Sequence, residues 1–353
     1  MRDVRVAVYS IAKNEAKHVE RWWESAKDAD ELVILDTGST DETVEIATRL
    51  GIRVWVQEFH PWRFDVSRNH ALALVSADVD YCISLDLDEV LLPGWREEMQ
   101  KAFEAGLTRP HYPYAWSVKE DGSPGTLFNY DHIHSRMGYQ WVKPVHEILV
   151  PVEGFEEVHG EIGLRVNHLP DSTKSRGQYL GLLELSVQEE PDDERNAYYL
   201  GREYVFAGMH PEASAALRRF LDLPTATWAP ERARAMVYLG DVETSEEWYI
   251  RATLEAPGRR EPWVALAKWF YRRTDWPGAL WAAQRATEIH ERPMDYLNEE
   301  WAWGYEPWDL MAIAQYRLGM FHEAVANGRI AQAMAPGDER LVSNVAYYEE
   351  ALR

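Results

Sequence analysis

An α/β domain on a mostly parallel, Rossmann-like sheet, followed by an all-α domain of helical repeats, is the fold class that the sequence predicts. Three observations carry it. In the first half, short apolar or β-branched runs alternate with segments of helical spacing, the order that makes parallel sheets. In the second half, three windows align without gaps and place small residues at matching offsets. Between them, Tyr81-Cys82-Ile83-Ser84-Leu85 runs straight into Asp86-Leu87-Asp88-Glu89, a buried strand that ends in acids. The expected domains are residues 1–171 and 172–353.

The elements follow in order. Residues 4–11 are β-branched and read as the first strand. Residues 14–27 carry Val19, Trp22, Trp23 and Ala26 at helical spacing. Residues 31–35 are the second strand, ended by Asp36. Thr37-Gly38-Ser39-Thr40-Asp41-Glu42 is a turn that becomes a helix start, with Thr40 as the N-cap and the acids favoured by the dipole. The helix over 43–50 is stopped by Gly51. A strand over 53–56, a helix over 64–76 and a strand over 81–85 complete the alternation. Residues 110–168, rich in Tyr, Pro, Gly and His, read as antiparallel strands and loops.

From about Ser172 the chain reads as helical. The aligned windows contain Leu200-Gly201, Tyr204, Gly208, Ala213 and Phe220; then Leu266-Ala267, Phe270, Ala279 and Ala286; then Met311-Ala312, Gln315, Gly319, Ala324, Ala331 and Pro336. Small residues recur where two helices of a pair pack closely, which resembles the tetratricopeptide pattern. Residues 232–257 read as a shortened repeat. The alternative is an irregular helical bundle with alanine-rich seams.

Composition narrows the function. The chain has 353 residues, enough for two or three domains, and a net charge of −22 from 59 acids against 37 bases. That balance argues against a large nucleic-acid footprint, and duplex DNA is not a favoured partner because binding it needs phosphate-neutralising bases. The one cysteine, Cys82, falls inside a strand and reads as a small buried hydrophobe, which leaves no disulfide or zinc framework. There is no signal-peptide core and no apolar run of membrane-spanning length, so a soluble, cytoplasmic protein is expected.

The acidic strand end points to chemistry. Asp86 and Asp88 are two apart, so in extended chain they face the same way and repel unless a cation lies between them. Oxygen ligands suit Mg²⁺ or Mn²⁺, ions that usually also hold phosphates. Three more pieces lie at strand ends or on the facing helix, where open parallel sheets collect ligands: Ala12-Lys13-Asn14-Glu15, Asp36 to Asp41, and Phe64-Asp65-Val66-Ser67-Arg68-Asn69-His70. Val145-His146-Glu147 and Val166-Asn167-His168 follow later.

Lys13-Asn14-Glu15, Asp36 to Asp41, Arg68-Asn69, Leu85 to Glu89, Val145-His146-Glu147 and His168 occur in one order over residues 4–170, and in that order the chain resembles a family 2 glycosyltransferase with a GT-A fold. The helical tail resembles that of a subset of the family. The resemblance implies a metal-dependent, inverting transfer of a hexose from a nucleotide sugar, a UDP-sugar favoured. Asp36 would read the nucleotide base, with Asn14, Glu15 and Ser39 beside it; the structural alternative is capping of turns and helix starts. Arg68 would face the donor sugar or diphosphate; its alternative is a salt bridge. Asp86 would contact the donor's sugars, and Glu89 would lie among the donor-binding residues. Asp88 would bind the metal with His168, and the imidazole favours Mn²⁺ over Mg²⁺. Glu147 is the expected catalytic base, with His146 as the alternative, because the family's usual acid pair is replaced here by His-Glu. Arg63 stands where family members often carry an acid, with Asp65 nearby. Tyr139 and Trp141 would either stack on a sugar or pack in the core.

Two other classes compete. A haloacid-dehalogenase-type phosphatase shares the strand and Asp-x-Asp, but Glu89-Val90 replaces its usual Gly-Thr and the strand comes late. A repeat-scaffold binding protein with an inactive catalytic-like domain would use only the tail. The acceptor is open between protein, peptide, glycan, lipid-linked sugar and modified nucleobase. The tail is expected to bind a protein or glycan acceptor or to form a homodimer.

Overall fold

The structure, a computed structural model, describes residues 2–171, 177 and 179–353. The expected domain boundary at Ser172 lies outside the described residues. The chain divides into two compact units, Met1–Ser186 and Val187–Arg353.

The first unit opens with β1 (Val6–Ala12), α1 (Ala16–Ala26), β2 (Glu31–Asp36), α2 (Thr43–Arg49), β3 (Arg53–Val56), α3 (Phe64–Leu74) and β4 (Tyr81–Ser84). Next come β5 (Glu89–Leu91), α4 (Trp95–Glu104), β6 (Arg109–Ala115), β7 (Leu127–Tyr130), β8 (Ile133–Ser135) and β9 (Tyr139–Val142). It closes with β10 (Ile148–Pro151), β11 (His159–Glu161), β12 (Val166–His168) and α5 (Tyr179–Glu189), whose last residues fall in the second unit.

The main sheet has the order β3-β2-β1-β4-β8. Its first four strands are parallel and β8 runs against β4. The sequence folds this way because β1, β2 and β4 are apolar on both faces, as central parallel strands covered by helices must be. Ala7, Tyr9, Val33, Leu35 and Cys82 pack on one face with Ala71 and Leu72 of α3. Burial pushes the Cys82 thiol up to about 12, so it behaves as the inert hydrophobe expected. On α1, Trp22 is fully buried and donates its indole N–H to the Leu85 carbonyl at 3.0 Å, fixing the chain just after β4.

A second sheet has the order β11-β6-β12-β5, and β7 also pairs with β6, antiparallel, along Tyr112–Ala115. The region 110–168 is therefore mixed and not wholly antiparallel, since β11 and β12 both run parallel to β6. This second sheet matters for the site because β12 pairs antiparallel with β5, setting His168 opposite Glu89.

The second unit is all helix among its described residues: α6 (Glu194–Phe206), α7 (His210–Asp222), α8 (Ala229–Glu243), α9 (Glu246–Glu255), α10 (Arg260–Arg272), α11 (Trp276–Thr287), α12 (Glu300–Trp303), α13 (Glu306–Arg317), α14 (Phe321–Met334) and α15 (Glu339–Glu350). The three aligned windows are the pairs α6/α7, α10/α11 and α13/α14, and the shortened repeat is α8/α9. Asp193, Asp275 and Asp338 cap α6, α11 and α15 by accepting from main-chain N–H groups. Pair packing is close: a Cβ on Gly201 would lie 2.6 Å from Leu217, and one on Gly240 would lie 2.7 Å from the Tyr249 ring. These tetratricopeptide-like pairs are interrupted by residues 288–299. Asp295 in that segment accepts from Arg259 at 2.5 and 3.0 Å. Tyr296 bonds Glu231 on α8 and stacks on Tyr199 of α6 at 6.4 Å. The segment thus lies across successive helix pairs. No helix among the described residues is long and apolar enough to cross a membrane.

Candidate active site

The parallel strands end together. Ala12 of β1 is opposite Asp36 of β2, which is opposite Val56 of β3, while Tyr9 is opposite Ser84 of β4. The loops that follow therefore gather Asn14, Asp36 and Asp86 at one edge of the sheet, where ligands of open α/β folds bind.

Asp36 is fully buried and works as a turn organiser. One carboxylate oxygen accepts from the N–H groups of Gly38 and Ser39 at 3.0 and 2.8 Å, and the other from the Ser39 hydroxyl. Ser39 Oγ in turn accepts from the Asn14 N–H at 2.8 Å, and Asn14 Oδ1 accepts from the Thr40 N–H at 2.7 Å. Asn14 has a left-handed backbone, φ 58°, a conformation that asparagine tolerates. Glu15 donates its N–H to Thr43 Oγ1 at 2.7 Å. The two turns are thus one laced surface. Thr40 was expected to cap α2; instead the Asp41 carboxylate accepts from Thr43 N–H at 3.0 Å, while the Thr40 N–H is taken by Asn14.

Arg68 is the hub. It is 5% exposed, on the inner face of α3, and its terminal nitrogens donate to both Asp86 oxygens at 2.8 and 3.0 Å. One of them also donates to Ser84 Oγ at 3.1 Å, and Nε donates to Glu147. Its guanidinium lies 5.2 Å from the centre of the Trp141 ring. Burial alone would favour a neutral Asp86, but Arg68 overrides it and holds that carboxyl below the usual range. Arg68 is thus tied to two carboxylates, with few donors left for a diphosphate. Asn69 fastens the assembly: its amide donates to the Trp141 carbonyl at 2.8 Å and accepts from the Trp141 N–H at 2.9 Å. Trp141 is buried and donates to the Tyr9 hydroxyl at 2.8 Å, and Tyr139 is buried against Phe155, so both are core residues. Arg63 forks onto Asp65 at 3.0 and 2.9 Å, so the two form one ion pair at the start of α3.

On the other side of Asp86, Glu89 is buried and internally engaged. It accepts from the Asp86 N–H at 2.8 Å and from the Tyr114 hydroxyl at 2.6 Å. Burial and the neighbouring Asp86 push its carboxyl up to about 8. Expected among the donor-binding residues, it is placed where it shapes the turn carrying Asp86 and Asp88. The β12–β5 pairing brings His168 Nε2 to 3.5 Å from Asp88 Oδ2. Burial opposes the charged imidazole, but Asp88 outweighs burial and raises its pKa. The other ring nitrogen lies 3.1 Å from the Trp116 carbonyl, an acceptor, so Nδ1 carries a proton and Nε2 is the nitrogen available to a cation.

Among the described residues, no group of three or more His, Cys, Asp or Glu is placed to hold a metal ion. Asp88 and His168 are a two-ligand pair, one oxygen and one nitrogen. That set fits a divalent ion that completes its shell with water and phosphate oxygens. Glu147 is joined to the site by Arg68, whereas His146 has a left-handed backbone, φ 50°, and its ring lies 5.9 Å from Tyr179. Asp86, the acid that the phosphatase reading would use as nucleophile, is held by both terminal nitrogens of Arg68.

Residues 8–124 match the model of glycosyl transferase family 2. This segment is a family 2 glycosyltransferase domain. The matched residues include Asn14, Asp36, Arg68, Asp86 and Asp88; Glu147 and His168 lie beyond them. The domain's chain is similar to an uncharacterized glycosyltransferase of Rickettsia bellii, 34% identical over 100 residues, covering 28% of this chain and 33% of that one. It is also similar to a TPR repeat-containing protein of Synechococcus elongatus, 30% identical over 155 residues, covering 41% of this chain and 35% of that one. The chain spans about a third of the length of these curated relatives. Among solved structures, a thermophilic TPR protein of Thermus thermophilus matches with a TM-score of 0.33 and 19% identity, over 50% of this chain and 91% of that one.

The residues that sequence reasoning missed are Ser84, Tyr114 and Trp116. Ser84 sits in the quoted strand, so its alternation with Asp86 was available as a signal. Tyr114 and Trp116 reach the site only through the β6–β12 pairing, which no local pattern announces.

Proposed function

We propose that the chain is a metal-dependent, inverting glycosyltransferase that moves a hexose from a nucleotide sugar, a UDP-sugar favoured, to an acceptor hydroxyl or thiol. The observation that carries the proposal is Arg68 gripping Asp86 and Glu147 together at the carboxyl edge of the sheet. The family match over residues 8–124 supports it. The turns of Asn14–Glu15 and Asp36–Ser39 are assigned to the nucleoside end of the donor, with Asp36 fixing their shape. Asp86, oriented by Arg68, is assigned to the donor's sugars. Asp88 and His168 would hold Mn²⁺ or Mg²⁺, which when bound neutralises the leaving diphosphate.

Glu147 is assigned as the base. Arg68 occupies its Oε1, which leaves Oε2 to take the acceptor proton. As the acceptor atom bonds to the anomeric carbon from one face, the bond to the diphosphate breaks on the other, and the proton passes to Glu147. His146, adjacent in sequence, is the alternative base. The stacked helix pairs of the second unit supply partner surface for an acceptor-bearing molecule or a second copy of the chain. The test is a screen of UDP-, GDP- and ADP-hexoses with Mn²⁺, reading nucleoside diphosphate release. Turnover of one donor class supports the proposal; release of inorganic phosphate from simple esters, with no nucleotide-sugar turnover, contradicts it.

A further inference from the structure

Trp116 is more than half exposed, at 52%, and among the described residues of the first unit it is the one exposed Phe, Trp or Tyr. It is nonetheless firmly placed. It opens the hairpin after β6, where its N–H donates to the Thr126 carbonyl at 2.9 Å and its own carbonyl meets His168 Nδ1. Its ring packs on His168 with centres 4.6 Å apart. His168 stacks on Tyr114 at 6.2 Å and 23°, and the Tyr114 hydroxyl holds Glu89. The indole is thus the outer end of a column of rings rooted under the Asp86–Asp88 turn.

Exposure of a single ring is ordinary, but an indole held in place against His168 at the rim of a polar site offers a flat, pre-positioned contact face. What surrounds it selects the occupant. The hairpin beyond it carries Ser117, Lys119, Glu120, Asp121 and Ser123, and Asp88 Oδ2 lies 3.5 Å from Nε2 of the His168 ring on which Trp116 packs. A lipid or an apolar peptide would need a wider apolar patch than one indole. A pyranose ring presents one C–H face to an aromatic ring and a rim of hydroxyls to polar neighbours. We propose that the Trp116 indole is the platform for the C–H face of a hexopyranose bound beside Asp88 and His168. This rests on the glycosyltransferase reading and adds to it that a sugar, as the donor's hexose or the acceptor, stacks there.

The test is saturation-transfer NMR on the full chain. One arm uses free methyl glucoside, methyl galactoside and cellobiose without nucleotide. The other uses UDP-glucose and UDP-galactose with Mn²⁺. Ring-face protons saturated in the first arm identify an acceptor sugar; hexose protons saturated only in the second identify the donor's. In either case W116A should weaken the contact about tenfold, and W116F should retain most of it. Hexose contacts that persist unchanged in W116A overturn the proposal, as does a wild-type protein that binds UDP-sugars through their nucleotide alone and shows no ring-face saturation in either arm. Failure of the wild type to bind any nucleotide sugar would instead overturn the glycosyltransferase reading, while the free-saccharide arm still judges Trp116. Circular dichroism of W116A and W116F separates loss of fold from loss of contact.

Discussion

Arg68 holds Asp86 through both terminal nitrogens, at 2.8 and 3.0 Å, and the same guanidinium reaches Glu147 through Nε. A buried cation is tolerable only when its partners stay in place, and of the two carboxylates the buried Glu147 depends on it more than Asp86, whose side chain is 40% exposed. The grip therefore joins α3, the end of β4 and the loop before β10 into one rigid edge.

Arg68→Ala should leave Asp86 and Glu147 close and unpaired. Removal of one partner from a fully buried pair costs about 3–5 kcal/mol; water reaches Asp86 and screens it, so a smaller loss, carried mainly by the buried Glu147, and a clear drop in the denaturation midpoint are expected. Arg68→Lys should recover part of the stability but not the fork, since an ammonium cannot reach both Asp86 oxygens in parallel. Equal stability of Arg68→Ala and wild type in urea titrations would contradict the hub.

Asn69→Ala removes both hydrogen bonds to the Trp141 main chain. A loss of about 1–3 kcal/mol is expected because a buried amide and carbonyl are left unsatisfied. If Trp141 steadies Arg68, this variant should also weaken donor binding without touching a site residue directly, measurable by calorimetry with a nucleotide sugar. Unchanged stability would show that the clamp is redundant.

Glu147→Gln preserves shape and removes the proton acceptor. Transfer should fall by about 10²–10⁴ while donor binding persists. A wild-type transfer rate would move the base to His146.

His134 is fully buried, between the Tyr9 hydroxyl at 3.1 Å and the Ser135 carbonyl at 2.8 Å. Burial pulls its imidazole down to about 4. The unfolded chain takes up this proton near 6.5, before the folded chain does. Its stabilising contribution is therefore complete above about pH 6.5 and is lost as pH falls toward 4, on the order of 3 kcal/mol. NMR of the ring should show His134 neutral at pH 5. A midpoint near 6.5 would contradict its burial between those partners.

Much of this architecture was legible in the sequence, because the information was local. The alternation of apolar runs and helical spacing located β1 to β4, with ends within a residue or two, and Gly201, Ala279 and Ala324 announced helix pairs through their small size. What was not legible was long-range. The family resemblance assigns Asp36 to the nucleotide base, with turn capping as the alternative; its full burial under Gly38 and Ser39 depends on turn geometry that no spacing encodes. Glu89 was grouped with the donor-binding residues as a supporting acid, and the partner that engages it, Tyr114, arrives from β6, far along the chain. The interruption at residues 288–299 was silent for the same reason: its hold on Glu231 and Arg259 is tertiary.

The most direct test of the central claim is donor turnover by the full chain with and without Mn²⁺, in wild type and in Asp88→Ala. The account predicts that wild type releases nucleoside diphosphate from a nucleotide hexose only with the metal, and that Asp88→Ala folds normally but loses this activity by at least about a hundredfold. Metal-independent turnover, or full activity in Asp88→Ala, would contradict it.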